Sequence, residues 1–174
     1  MEKQQSLLIG CGHDRTKKIH RIDEPNWKGQ LVTIDMSPDV GADHVFDMSV
    51  FAGHLPFGNE MFDEIGAYDS LEHWGRQGDW RAWFDEMADY HRILKPGGEM
   101  GIVVPVGLDA LADPGHTRMF HQNHFGFLSQ EFYRRNEADG TPITDYRWFW
   151  KLDFEIVHIE KNEHHLSVLL RKPS

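Results

Sequence analysis

Apolar positions along this chain form several short unbroken runs and one long helical stripe. Residues 6–9 and 30–34 are short apolar runs, halted by Gly10-Cys11-Gly12 and by Asp35-Met36-Ser37-Pro38. Both read as strands ended by turns. Residues 43–46 and 62–67 predict two more strands, one stopping at Asp47 and the other entering Tyr68-Asp69-Ser70-Leu71-Glu72-His73. The stripe follows. Trp80, Trp83, Phe84, Met87, His91 and Leu94 recur at three- and four-residue spacing behind Gly78-Asp79, which supplies an N-cap. Lys95-Pro96-Gly97-Gly98 stops that helix, because proline disfavours helical backbone in its predecessor and glycine permits the reversing turn. Residues 99–104 predict a fifth strand. Residues 105–128 lack periodicity and read as a covering loop. Ser129 can cap a short helix through Asn136, with Leu128 and Tyr133 as a hydrophobic staple. Residues 154–160 and 164–170 then read as two strands joined at Lys161-Asn162-Glu163.

Short runs alternating with a helix predict an α/β fold with a mostly parallel sheet, and the terminal hairpin adds an antiparallel edge. With no repeat or linker, residues 1–174 read as one domain. In such sheets ligands bind at the carboxyl ends of the strands.

Composition narrows the classes. Hydrophobic residues make up 40% of the chain and aromatic residues 12%, which supports a packed core and argues against disorder. No apolar run approaches the ~18 residues of a membrane span, and no basic leader precedes one, so a cytoplasmic protein without membrane association is expected. Cys11 is the sole cysteine, which excludes an internal disulfide and a thiolate zinc cluster. The formal charge is −10, with 18 basic residues against 28 acidic ones. That balance weighs against non-specific duplex binding. Lys17-Lys18-Ile19-His20-Arg21 and Arg134-Arg135 leave local phosphate contact open, with solvated surface as the alternative.

Three signals fall at predicted strand ends. A glycine pair after the first strand lets backbone approach a ligand, Asp35 after the second can accept from ribose hydroxyls, and Asp47 after the third can accept from an adenine amino group. Together they outline an adenosine site, although each alone is also a common turn feature. A nicotinamide-type Rossmann site is the rival reading, but Arg15 stands where its third glycine belongs.

Leu7-Leu8-Ile9-Gly10-Cys11-Gly12, Val32-Thr33-Ile34-Asp35, Phe62-Asp63-Glu64-Ile65, Leu71-Glu72-His73 and Arg92-Ile93-Leu94-Lys95-Pro96-Gly97-Gly98 together resemble class I S-adenosylmethionine-dependent methyltransferases over roughly residues 6–104. More narrowly, His73-Trp74-Gly75-Arg76-Gln77-Gly78-Asp79, Asp113-Pro114-Gly115-His116-Thr117-Arg118 and Asp145-Tyr146-Arg147-Trp148 resemble small methyltransferase-like proteins of phage and prophage genomes. The resemblance implies a Rossmann-like sheet of seven strands with the last reversed, S-adenosylmethionine as cofactor, and an unidentified methyl acceptor. It places Gly10 and Gly12 near the methionine part of the cofactor, Asp35 on the ribose and Asp47 with Met48 at the adenine. Asp69 would lie near the methionine amino group or the acceptor. One departure stands out: residues 13–29, where the family has a helix, carry Pro25, many charges and no sustained apolar stripe. An extended segment around residues 17–22 is expected there, and a non-catalytic binding or assembly module is the alternative function.

Methyl transfer needs alignment of the acceptor and a way to remove any acceptor proton. His73 and His116 are the candidate catalytic bases; the plainer alternatives are a loop-fixing hydrogen bond for His73 and an internal Asp113–Arg118 pair around His116. His116, His121 and His124 match no standard zinc spacing, so no metal site is expected. Tyr146, Trp148, Phe149 and Trp150 can stack on a planar acceptor or anchor a core. Cys11 reads as a small residue between glycines.

Overall fold

A computed structural model describes residues 3–19, 24–48 and 54–174. Seven strands form one sheet: β1 (Gln5–Ile9), β2 (Gln30–Asp35), β3 (His44–Val45), β4 (Phe62–Tyr68), β5 (Leu94–Pro105), β6 (Glu155–Lys161) and β7 (His165–Arg171). Their order is β3-β2-β1-β4-β5-β7-β6. The first five run parallel, and β7 runs antiparallel to both β5 and β6. This is the mostly parallel α/β sheet with a reversed terminal hairpin that the hydrophobic pattern predicts.

Helix α1 (Trp80–Ile93) starts where Asp79 accepts a hydrogen bond from the Ala82 N–H at 3.1 Å, and it buries Phe84, Met87, Tyr90 and Ile93 against the sheet. Its end differs from the simple turn expected. The chain enters β5 at once, and Lys95-Pro96-Gly97-Gly98 forms a bulge inside the strand, since Phe62 faces Leu94 while Glu64 faces Glu99. Chain past β7 supports the bulge: the Gly97 N–H donates to the Lys172 carbonyl at 2.9 Å, and the Lys172 N–H donates to the Gly98 carbonyl at 3.0 Å.

The region read as a covering loop contains a short helix, α2 (Gln122–Gly126). His121 and His124 cap it reciprocally, each Nδ1 accepting from a backbone N–H. Helix α3 (Gln130–Ala138) begins behind Ser129 as expected, but the Asp153 carboxylate rather than the serine hydroxyl accepts from its first N–H, at 2.8 Å. Leu128 and Tyr133 are both buried.

Alternation along the strands divides the core. Leu7, Ile9, Ile65, Ala67, Ile102 and Val104 face the large cluster that includes α1. Leu8, Tyr68 and Val103 face the other side, where Ile19 and Trp27 pack on them. No helix lies between β1 and β2 among the described residues; part of the expected extended segment, including His20 and Arg21, lies outside them. What is described runs as irregular chain against the bare sheet face. Gly66 and Gly101 make room for it, since a Cβ on Gly66 would lie 2.5 Å from the Trp27 ring and one on Gly101 3.3 Å from Ile19 Cβ. Lys17 pins the segment through an ion pair with Glu64, both side chains being buried. Glu64 also accepts from Ser6 Oγ and from the Lys28 N–H, each at 3.2 Å.

Two consequences are measurable. Removing one partner of a buried ion pair strands the other charge at a cost of about 3–5 kcal/mol. Lys17→Met should therefore lower unfolding free energy by roughly that amount in urea titrations, and adding Glu64→Gln should recover part of the loss. Half-buried His91 packs edge-on against Phe154 with ring centroids 5.1 Å apart. Burial, reinforced by the nearby Lys172 charge, pushes its imidazole down to about 4. The unfolded chain therefore binds this proton first as pH falls, so stability contributed by neutral His91 is lost between pH ~6.5 and about 4. His91→Gln should flatten the stability profile in that window relative to the wild type.

Candidate functional site

Strand register brings three loop beginnings to one level. Ile9 pairs with Ile34 on β2 and with Ala67 on β4, so residues 10, 35 and 68–69 emerge side by side. The Gly10 N–H donates to the Ile34 carbonyl at 2.9 Å. Gly10 has φ +62°, and a Cβ there would lie 2.5 Å from Ser70 Cβ, so both its backbone conformation and the space demand glycine. Asp35 organises the turn around it. Its Oδ2 accepts from the Gly12 N–H at 2.8 Å and its Oδ1 from the Ser37 N–H at 2.9 Å. Arg15 braces the same loop by donating to the Gly12 carbonyl and, at 2.9 Å, to the Val40 carbonyl. The Phe46 N–H donates to the Asp35 carbonyl at 2.8 Å, which draws residues 46–48 inward.

Asp69 adopts φ +49°, rare for a residue with a side chain, and its N–H donates to the Val103 carbonyl at 2.8 Å. Its carboxylate meets Lys18 Nζ at 2.7 Å and His165 Nε2 at 3.4 Å. Backbone held in this unusual conformation turns the chain at the end of β4 toward the cleft.

The cleft that results has a volume of about 230 Å³, and Gly10, Gly12, Asp35, Met48, Asp69 and His73 all line it. Six of the eight residues singled out in the sequence therefore meet in one place. Two do not. Asp47 is exposed and lies outside the lining, which Phe46 and Met48 supply in its stead. His116 is likewise outside it. Sequence reasoning passed over Met36, Phe46, Ser70 and Trp74, which complete the walls. Their signal was proximity to strand ends, shared with many ordinary turn residues. Cys11 is buried and burial raises its thiol pKa, consistent with a space-filling role.

His116 stands behind His73, with ring centroids 4.7 Å apart and planes at 74°. The expected Asp113–Arg118 pair does not form. Asp113 Oδ1 instead accepts from the Gly115 N–H at 2.7 Å, while Arg118 donates to the Leu71 carbonyl at 2.7 Å and pairs with buried Glu86 at 2.8 Å. Backbone bonds join this loop to the end of β4: the Glu72 carbonyl accepts from the Thr117 N–H at 2.8 Å and from the Arg118 N–H at 3.1 Å. Glu72, not noticed in the sequence as a site residue, sits beneath both imidazoles with its side chain 1% exposed. Burial pushes its carboxyl up to about 7.

A second recess of about 130 Å³ is aromatic, with Trp80, Trp83, Phe120, Phe127 and Tyr146 among its walls and the Arg118 guanidinium 5.4 Å from the Trp83 ring. Of the aromatic run considered for acceptor stacking, Tyr146 lines this recess, Trp148 is exposed, and Trp150 is core, stacked on Phe84 with its Nε1 donating to the Leu128 carbonyl at 2.9 Å.

No protein-family model and no curated protein sequence matches this chain. Solved structures do. An S-adenosylmethionine-dependent methyltransferase of Methanosarcina mazei aligns with a TM-score of 0.56 at 17% identity, over 99% of this chain and 94% of that one. The 1,6-didemethyltoxoflavin-N1-methyltransferase of Burkholderia thailandensis, with 1,6-didemethyltoxoflavin and S-adenosylhomocysteine bound, aligns at 0.51 and 18% identity over 99% and 72%. The [4+2]-cyclase SpnF aligns at 0.55 and 17% identity over 98% and 75%. These likenesses establish the Rossmann-like fold of the methyltransferases for this chain. Function has to come from the site.

The tight approach of Gly10 to Ser70 sets a test. Gly10→Ala combines a left-handed backbone with a clash against a short, inflexible side chain, and should cost about 2–4 kcal/mol in chemical denaturation. Gly12→Ala has open space around its Cβ position and only the backbone penalty, so it should cost about 1 kcal/mol.

Proposed function

We propose that the protein is an S-adenosylmethionine-dependent methyltransferase whose cofactor occupies the cleft at the carboxyl ends of β1, β2 and β4. The observation that carries this reading is the convergence of Gly10, Gly12, Asp35, Met48 and Asp69 on that one cleft. Their chemistry suits the ligand. Each Asp35 oxygen gives one lone pair to a backbone N–H and keeps another for a ribose hydroxyl. Phe46 and Met48 offer an apolar wall for adenine, with Asp47 at its rim. Asp69 lines the cleft and offers a carboxylate to the ammonium of a methionine tail, while its ion-pair partner Lys18 lies outside the lining. Ser70 Oγ, buried and without a hydrogen-bond partner, lines the same cleft and would be satisfied by a polar ligand.

Bound S-adenosylmethionine would supply an electrophilic methyl group on its sulfonium. The chain's part is to exclude water around it with Trp74 and Met48, fix the ligand through Asp35 and Asp69, and present a polar wall through His73 to the acceptor. His73 lines the cleft whereas His116 lies behind it and outside the lining, which supports His73 rather than His116 as the side chain facing an acceptor. The acidic surface suits an acceptor other than nucleic acid, and the reading is of a one-domain cytoplasmic enzyme akin to the small phage and prophage proteins it resembles.

A non-catalytic module is the second reading, favoured by the absence of a helix among the described residues between β1 and β2, since a helix N-terminus there would face the ligand. Against it, no described residue of 13–29 enters the cleft lining. The described part of that segment packs on the sheet face, outside the cleft lining.

Calorimetric titration with S-adenosylmethionine and S-adenosylhomocysteine tests the assignment. The wild type should bind both saturably. Asp35→Asn should bind at least roughly tenfold more weakly, as expected for loss of hydrogen bonds to a charged acceptor. Absence of binding of either ligand at millimolar concentration would overturn the reading.

A further inference from the structure

We propose that Glu72, His73 and His116 form a binding site for one divalent transition-metal ion beside the cleft. One ligand atom from each of the three lies within 4.8 Å of the others. Donors on one ion with bonds of ~2.1 Å at tetrahedral angles sit ~3.4 Å apart, so side-chain closure of at most ~1.4 Å brings the three together. Two imidazoles and one carboxylate, with positions left open, suit Zn²⁺, Fe²⁺ or Co²⁺.

Features around the cluster fit metal ligation better than a hydrogen-bonded polar core. His116 Nδ1 lies 3.1 Å from the Ala110 carbonyl, which places the proton on Nδ1 and leaves the Nε2 lone pair facing Glu72 Oε1 at 3.8 Å. A backbone carbonyl fixing the tautomer of a ligating imidazole is the usual outer support of such sites. Glu72 Oε2 is fully buried with no hydrogen-bond partner. An orphaned carboxylate oxygen in the interior carries a desolvation penalty that a cation would relieve. The scaffold is preformed, because the two N–H groups held by the Glu72 carbonyl belong to Thr117 and Arg118, next to His116. Gly115 lets this loop approach, as a Cβ there would lie 3.2 Å from His73 Nδ1.

Sequence spacing hides the site. Two ligands are adjacent in the 3-10 turn Leu71–His73 that follows β4, and the third comes from a loop after β5, whereas His121 and His124 are engaged in capping α2. His73 belongs both to this cluster and to the cleft wall, so an ion here would stand beside whatever the cleft binds. The inference goes beyond the methyltransferase reading and does not depend on it.

Chelator-treated protein without a histidine tag should be titrated with Co²⁺ while visible absorption is recorded, with Zn²⁺ competition followed by calorimetry. The wild type should take up one equivalent and develop d–d bands that Zn²⁺ abolishes. Glu72→Gln and His116→Gln should each weaken Co²⁺ binding at least tenfold. Partly exposed His73→Asn should do the same in a variant whose folded state is checked by circular dichroism. The control His121→Ala/His124→Ala should bind as the wild type does. Absence of bands at millimolar Co²⁺, unchanged affinity in His73→Asn and His116→Gln, or loss of binding in the control would overturn the proposal. Metal binding by protein that binds no adenosyl ligand would uphold this site while removing the proposed methyltransferase function.

Discussion

Parallel pairing of β1 with both β2 and β4 is the constraint on which the rest of the molecule depends. A one-residue slip in either register would send Leu7 and Ile9 to the wrong face and separate Gly10 from Asp35 and Asp69. Because β1 is central and its apolar residues are buried on both faces, hydrophobic burial holds the register. Loop chemistry then builds on it. The Asp35 carboxylate ties Gly12 to the turn after β2, and Arg15 ties the same loop to Val40. The cleft is thus lined by residues that the sheet and these loop bonds hold at the strand ends.

Covering the sheet unequally is the price of this economy. On one face α1 and the aromatic residues of the C-terminal half build the large core. On the other, irregular chain with Ile19 and Trp27 packs on the strands, and a buried Lys17–Glu64 pair holds it there. Among the described residues, no helix N-terminus follows the glycine loop to polarise a ligand. Lys18, carried by the same segment to Asp69, places a positive charge near the cleft instead.

Much of this was legible in the chain. Runs at residues 6–9, 30–34 and 62–67 correspond to β1, β2 and β4 within a residue or two, because buried parallel strands must be continuously apolar. The α1 stripe is equally clear, and Pro25 with the charges around it is matched by irregular chain at the described residues between β1 and β2. Less legible were features made by long-range bonds. The bulge at Pro96-Gly97-Gly98 exists because Lys172 pairs with it, and α2 exists because two histidines cap a five-residue helix that has little propensity of its own. At the site, strand-end positions identify Gly10, Gly12 and Asp35, but turn geometry decides that Met48 enters the cleft and Asp47 does not. Glu72 reads as an ordinary acid beside His73 until folding buries it against His116.

Whether an adenosyl ligand occupies the β1–β2–β4 cleft is decided by an amide chemical-shift titration with S-adenosylhomocysteine. Binding there should give saturable shifts concentrated at Gly10, Gly12, Asp35, Met48, Asp69 and Ser70, with helix α3 unaffected. Absence of shifts at millimolar ligand, or shifts confined to the aromatic recess around Trp83 and Phe120, would contradict it.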